Sequence, residues 1–147
     1  VPFYGRACFD ADANLSAQLA QASAQILASA PEHLGHEAMG QFKVSSPRVH
    51  QGLLISGDRF VSTSAESQVL SQAFPSALAV EMEGAAVAQV CWDYKAAFAA
   101  VRTVSDRADD AAHTDFQSFV SGVASRYSLA ILSCWLKDLP TEGPSIT

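Results

Sequence analysis

The chain has 147 residues, nearly half of them hydrophobic, and a net charge of −6 from fifteen acidic and nine basic side chains. This length fits one domain with a substantial core, and the composition excludes a disordered chain. The Lys and Arg residues are dispersed, which excludes a basic surface for nucleic acid or an anionic membrane. No apolar run reads as a membrane span. Cys8, Cys91 and Cys134 are odd in number and lack CxxC spacing, which argues against a disulfide framework and a zinc knuckle. Cys91 and Cys134 fall in apolar helical patterns and are expected to be buried small hydrophobes, as suits a reducing, cytoplasmic setting. The sequence opens Val-Pro-Phe-Tyr without an initiator Met or a signal-peptide pattern. It is therefore expected to be processed or to be a piece of a longer protein.

Asp12 is placed to cap a helix in which Leu15, Leu19, Ala22 and Ile26 recur at helical spacing. Residues 28–31 end it. Residues 31–47, with Pro31, Gly35, Gly40 and Pro47, read as a connection with a short strand at 41–44. Residues 49–55 read as a strand that closes in Ser56-Gly57-Asp58, and a short helix follows over 64–73. Residues 77–80 form a short apolar strand running into Glu81-Met82-Glu83. From Glu83 onward, Ala86, Val87, Val90, Cys91 and Tyr94 make one helical stripe.

Residues 97–104 are apolar on both faces, as a parallel strand covered on both sides would be, and end in Ser105-Asp106. After a loop at 107–113, Thr114 and Gln117 have capping-box spacing. Phe116, Phe119, Val120, Val123, Tyr127, Ile131 and Cys134 then mark one face of a last helix. Pro140 ends that helix, and 141–147 read as a flexible tail. Alternation of helices and strands predicts an α/β fold with layers of helices on a sheet, and ligands gather at the carboxyl ends of strands in such sheets.

Three polar clusters stand at these ends. Glu81 and Glu83, two apart, point the same way in extended geometry. Their repulsion would raise the pKa of one and suit acid/base work or hydroxyl binding; equally, Glu83 would simply complement the helix N-terminus. Asp106 follows an apolar strand, where desolvation would raise its pKa and make it a usable acid; a helix cap or turn is the alternative. Arg102 lies inside the apolar run and needs a partner, for which the Glu81/Glu83 pair is the natural candidate. The group Asp106, Asp109, Asp110 and His113 lacks metal-site spacing and reads as a solvated acidic loop. No P-loop, GxGxxG or nucleophile elbow occurs.

The strings Ser56-Gly57-Asp58-Arg59-Phe60-Val61, Val80-Glu81-Met82-Glu83-Gly84-Ala85-Ala86-Val87-Ala88 and Val101-Arg102-Thr103-Val104-Ser105-Asp106-Arg107-Ala108-Asp109 occur in this order. Together they resemble the nucleoside phosphorylase/nucleosidase superfamily, and within it the bacterial 5′-methylthioadenosine/S-adenosylhomocysteine nucleosidases. The resemblance runs from about Phe9 to the final helix. It covers only the later part of a typical member, without the N-terminal part that supplies the first strands and a Glu that helps activate the attacking water. It therefore implies a three-layer mixed β-sheet flanked by helices, nucleoside phosphorylase-like and incomplete at the N-terminus. Residues 1–140 would be the C-terminal portion of a single domain, completed by an N-terminal segment or chain.

The resemblance also implies roles. Asp106 would deliver a proton to N7 of the purine, and Ser105 would hold Asp106. Phe60 would stack on the base, and the Val61 backbone would read the adenine edge. Met82 would pack under the ribose. Glu83 would bind the ribose hydroxyls and stabilise an oxocarbenium-like transition state, with Glu81 and Arg102 orienting that carboxylate and the water. Phe116 would help close the alkylthio pocket, and residues 1–4 align loosely with a stretch that reaches a dimer partner's pocket. Gly84 stands where some members have Ala, an exchange expected to change little. The implied reaction is hydrolysis of 5′-methylthioadenosine and S-adenosylhomocysteine to adenine and a thio-ribose, without metal or organic cofactor. It is the chemistry of methionine salvage in a cytoplasmic homodimer whose partner is a small purine nucleoside, not nucleic acid or membrane. Phosphorolysis by a purine nucleoside phosphorylase relative is the first alternative, and a non-catalytic storage or binding member of the superfamily, or an inactive fragment, the second.

Overall fold

The computed structural model describes residues 4–105 and 116–139. Helix α1 (Ala13–Ala28) starts where Asp12 Oδ1 accepts the Leu15 amide at 2.9 Å, the bond that makes Asp an effective N-cap. It buries Ala22, Ser23 and Ile26. Helix α2 (Ala30–Leu34) carries Pro31 in its first turn, where a missing N–H costs nothing. Gly35, at φ +78°, separates α2 from α3 (His36–Gln41). Two short helices thus occupy the stretch expected to be a connection, and the strand expected at 41–44 is not formed. Lys43 sits at φ +52°, outside extended backbone, and a four-residue apolar run does not distinguish a strand from a helix end.

Strand β1 (Leu53–Ser56) is followed by α4 (Ser64–Ala73), β2 (Ala77–Glu81) and α5 (Gly84–Asp93). β1 and β2 pair in parallel, with Ile55 opposite Val80 and Ser56 opposite Glu81. β1 is shorter than the expected 49–55 because the ladder begins only at Leu53, and its register shifts between Leu53 and Leu54. At Gly52 a Cβ would stand 2.6 Å from Leu78 Cδ1, so a larger residue there would push the half-exposed Leu78 side chain aside. Residues 97–105 form no strand. Asp12 donates to the Phe98 carbonyl at 2.6 Å, but Val101 and Val104 stay exposed. The apolar run reports a demand for cover, and no described layer supplies it on both faces.

The C-terminal helix runs over Phe116–Lys137 as α6 (Phe116–Phe119), a π-helical turn (Val120–Ala124) and α7 (Ser125–Lys137). By length and composition it could cross a membrane. Here its Val123, Tyr127 and Ile131 are buried with Ala22, Ile26, Ala30, Leu34 and Ala38 in one cluster, as α1 packs along α7. Polar contacts fix that packing: Arg126 Nη1 donates to the Leu34 carbonyl at 2.6 Å, and Trp135 Nε1 to Gln18 Oε1 at 2.9 Å. Cys134 donates to Gln25 Oε1 at 3.0 Å. Cys134 and Cys91 are half-buried rather than buried, and all three cysteines are free.

The core therefore lies among the helices, and Ala88 is the buried residue of α5. The expected stripe of α5 is largely uncovered, with Val87, Val90 and Tyr94 exposed. The whole chain exposes 10487 Å², against roughly 7,200 Å² for a compact protein of its mass. Helices and a parallel sheet give an α/β fold. The expected cap at Thr114, the acidic loop, Pro140 and the tail lie outside the described residues.

Candidate active site

The carboxyl ends of β1 and β2 lie side by side because the strands are parallel and adjacent. Residues 97–105 bring Arg102 to the same end. Arg102 Nη2 donates to Glu81 Oε2 and, at 3.2 Å, to Glu83 Oε2. The partner expected for Arg102 from its place in an apolar run is thus the observed one, although its side chain is 41% exposed rather than buried.

Glu81 is the centre of this network. Its carboxylate accepts the Ser56 hydroxyl on Oε1, the Gly84 amide at 2.8 Å on both oxygens and the Glu83 amide at 3.2 Å. Burial pushes this carboxyl up, but the Ser56 hydroxyl, the Gly84 and Glu83 amides and the Arg102 charge outweigh burial and hold it below its ordinary range. The expected mutual repulsion with Glu83 does not govern Glu81, because a guanidinium stands between the two carboxylates. Glu83 occupies the cap position of α5 with its side chain 66% exposed, open to a ligand. Gly84 is less neutral than expected: a Cβ there would lie 2.9 Å from Glu81 Oε1, so Ala at this position must push a tethered carboxylate aside.

The loop between β1 and α4 carries Phe60 and Val61. Its far end is fixed by Thr63, whose Oγ1 accepts the Glu66 amide at 3.3 Å while Glu66 returns to the Ser62 amide at 3.4 Å. Arg59 Nη2 also reaches Glu66, at 2.7 Å. The Ser62 amide and the Thr63 hydroxyl hold the Glu66 carboxyl below its usual range. This capping box is readable from the Thr63–Glu66 spacing, and it anchors the loop. Phe60 meets Phe116 of α6 edge to face, centroids 6.1 Å apart at 79°. Both rings are about 40% exposed, which leaves apolar ring surface for a flat ligand.

These parts enclose one cleft of about 450 Å³. Phe60 and Val61 line it from the loop, Glu81, Met82 and Glu83 from the end of β2, Arg102 and Ser105 from residues 97–105, and Phe116 from α6. An apolar, aromatic wall facing a few convergent charges is the usual build of a small-molecule site. Asp106, the expected proton donor, lies outside the described residues, immediately after Ser105. Among the described residues no group of three or more His, Cys, Asp and Glu could hold a metal ion. Tyr4, expected near a partner's pocket, donates to Asp93 of its own chain at 2.7 Å. Residues 1–3 are outside the description. Ser56 stands in a turn string, and nothing in its local sequence reveals that it faces Glu81.

The sequence profile of the Phosphorylase superfamily matches residues 2–134. The chain belongs to the phosphorylase superfamily. Among characterised members, it is 36% identical over 102 residues to the 5′-methylthioadenosine/S-adenosylhomocysteine nucleosidase of Haemophilus ducreyi, covering 69% of this chain and 44% of that protein. The Staphylococcus aureus nucleosidase is 42% identical over 73 residues, half of this chain and 32% of that one. In structure, the chain superposes on the Neisseria meningitidis nucleosidase bound to methylthio-immucillin-A with a TM-score of 0.69 and 33% identity, covering 95% of this chain and 52% of that one. For the Streptococcus pyogenes S-adenosylhomocysteine nucleosidase bound to 5-methylthiotubericidin the TM-score is also 0.69, at 29% identity over 94% and 50%. The fold of this superfamily member is therefore nucleoside phosphorylase-like, and the chain spans about half the length of the relatives it matches.

Proposed function

We propose that this chain supplies the base- and ribose-binding side of a nucleosidase that hydrolyses the N-glycosidic bond of 5′-methylthioadenosine and S-adenosylhomocysteine. The observation that carries the reading is the single cleft lined by Phe60, Met82, Glu83, Arg102, Ser105 and Phe116. In it an aromatic pair faces a carboxylate–guanidinium–carboxylate chain. The purine stacks on Phe60, with the Val61 backbone at its edge, and the ribose lies over Met82 with its hydroxyls on Glu83. Cleavage moves positive charge onto the ribose ring, where the fixed negative charge of Glu83 stabilises it more in the transition state than in the ground state. Asp106, next to the cleft-lining Ser105, protonates N7, so that the base leaves neutral. Arg102 and Glu81 hold the Glu83 side of the site and orient the water. Phe116 closes the far end around the 5′-alkylthio group. No step needs a metal or an organic cofactor.

Residues 1–140 are read as the later portion of one domain that an N-terminal segment completes. Two features support this. The surface is far larger than a compact protein's, and the hydroxyls of Ser23 and Tyr127 are buried without a hydrogen-bond partner beside the broad groove that both line. Such hydroxyls are normally satisfied, so the packing beside this groove is incomplete among the described residues. The exposed Val87, Val90 and Tyr94 of α5 and Leu129, Leu132 and Leu136 of α7 support a homodimer, and three free thiols support a cytoplasmic setting for methionine salvage.

The test is adenine release by the complete protein in phosphate-free buffer. Turnover without phosphate is expected, and strict dependence on phosphate would make it a phosphorylase. In Asp106→Asn, base release is expected to fall by at least about a thousandfold, while a substrate analogue still binds in calorimetry. Retained turnover in that variant would remove Asp106 as the acid.

A further inference from the structure

Ser56 has no part in the chemistry described above, yet it joins three elements of the site. The register sets it directly opposite Glu81, and the next amide, Gly57 N–H, donates to the Glu81 carbonyl at 3.0 Å. β1 thus holds Glu81 by its backbone as well as its side chain. The Ser56 hydroxyl has a single proton and its oxygen two lone pairs. The Ala85 amide donates to that oxygen at 2.9 Å, so its own proton is directed to Glu81 Oε1. The same hydroxyl therefore ties the end of β1 to the first turn of α5 and fixes which oxygen of Glu81 turns away from β1. Oε2 is left for Arg102, and Arg102 reaches on to Glu83.

We propose that Ser56 is a positioning residue for glycosidic cleavage: it orients the Glu81 carboxylate so that Arg102 is held against Glu83 at the ribose side of the cleft. This rests on the nucleosidase reading. Ser56 touches neither substrate nor reacting atoms and acts through Glu81. The hydroxyl also favours the ionised form of Glu81, opposing burial. The charged groups that face this carboxylate are Arg102, from residues 97–105, and Glu83, from the start of α5. Arg59, in the loop after β1, is engaged by Glu66. Without the Ser56 hydroxyl, Glu81 takes up a proton at higher pH, Arg102 loses its anchor, and Glu83 loses its orientation.

The experiment compares the complete wild-type protein with Ser56→Ala and Ser56→Thr, following the Glu81 carboxyl by carbon-13 NMR and kcat and KM across about pH 4 to 8. Ser56→Ala is expected to move the Glu81 titration and the acidic limb of kcat upward together. At about pH 4.5 kcat falls roughly twofold relative to its value near pH 7, while KM changes less than about threefold. Ser56→Thr, which keeps the hydroxyl, is expected to recover most of the loss. An unmoved Glu81 titration, an unchanged kcat, or no recovery with Thr would overturn the proposal and leave Ser56 a purely structural residue. If Ser56→Ala does not fold, Ser56→Cys, with its weak thiol donor, must move the titration in the same direction. A wild-type protein that cleaves no nucleoside overturns the underlying nucleosidase reading instead, and the Glu81 titration still decides what Ser56 does to that carboxylate.

Discussion

Glu81 keeps 11% of its side chain exposed and yet is held ionised by a hydroxyl, two amides and a guanidinium. Its folded-state pKa lies below the ordinary value of 4.5. The stability it contributes is therefore complete above about pH 4.5 and is lost as pH falls through the lower, folded-state value. Denaturant unfolding at about pH 7 and at successively lower pH should reveal this as an acid-side loss that is smaller in Glu81→Gln. An identical loss in both proteins would show that other carboxylates carry the acid response. In the proposed reading, Phe60 acts on binding rather than on the bond being cut. Stacking of a base on an aromatic ring is worth about 1–3 kcal/mol, so Phe60→Ala is expected to raise KM about tenfold with little change in kcat, as steady-state kinetics would measure. At this scale the Arg102 partnership was legible, because a cation in an apolar run must find carboxylates. The state of Glu81 was not, since a two-residue spacing signals repulsion while the neutralising Arg102 and Ser56 arrive from 21 and 25 residues away.

The helices were read best where a cap marks their start. α1 begins after Asp12, and α4 occupies the expected residues 64–73. Thr63 links that boundary to the site, because the loop it closes carries Phe60 and Val61. Thr63→Ala is expected to cost about 1 kcal/mol in denaturant unfolding and also to raise KM through the loosened loop. A stability loss with unchanged KM would mean that the loop is held from elsewhere. The strands were read less well. Residues 97–104 have the composition of a buried strand, but composition records what a segment needs around it, not what it pairs with. In the last helix the expected single apolar face divides. Phe116 turns to Phe60, while Val123, Tyr127 and Ile131 turn to α1. The π-helical turn at Val120–Ala124 lies between them and inserts an extra residue into the winding, which a helical repeat read from sequence does not anticipate. Gly122 within it faces Phe42, and a Cβ there would approach that ring to 3.1 Å.

For the molecule as a whole, the order of helices and strands was enough for an α/β fold, and residues of all three strand-end strings line the cleft among the described residues. The position of the core was not legible. The same apolar stripes that predict burial on α5 are exposed here, because a stripe identifies a face and not the layer that covers it. The 10487 Å² of exposed surface exceeds that of a compact protein of this mass by about 3,300 Å². That excess has a calorimetric meaning. Water ordered around apolar faces carries heat capacity, and docking a segment into the groove beside Ser23 and Tyr127 would release it. If most of the excess is covered, association should show a heat-capacity change on the order of −0.5 kcal/mol/K. Titrating the N-terminal segment into this chain at several temperatures would measure it, and a binding enthalpy that does not vary with temperature would mean that the exposed faces stay wet.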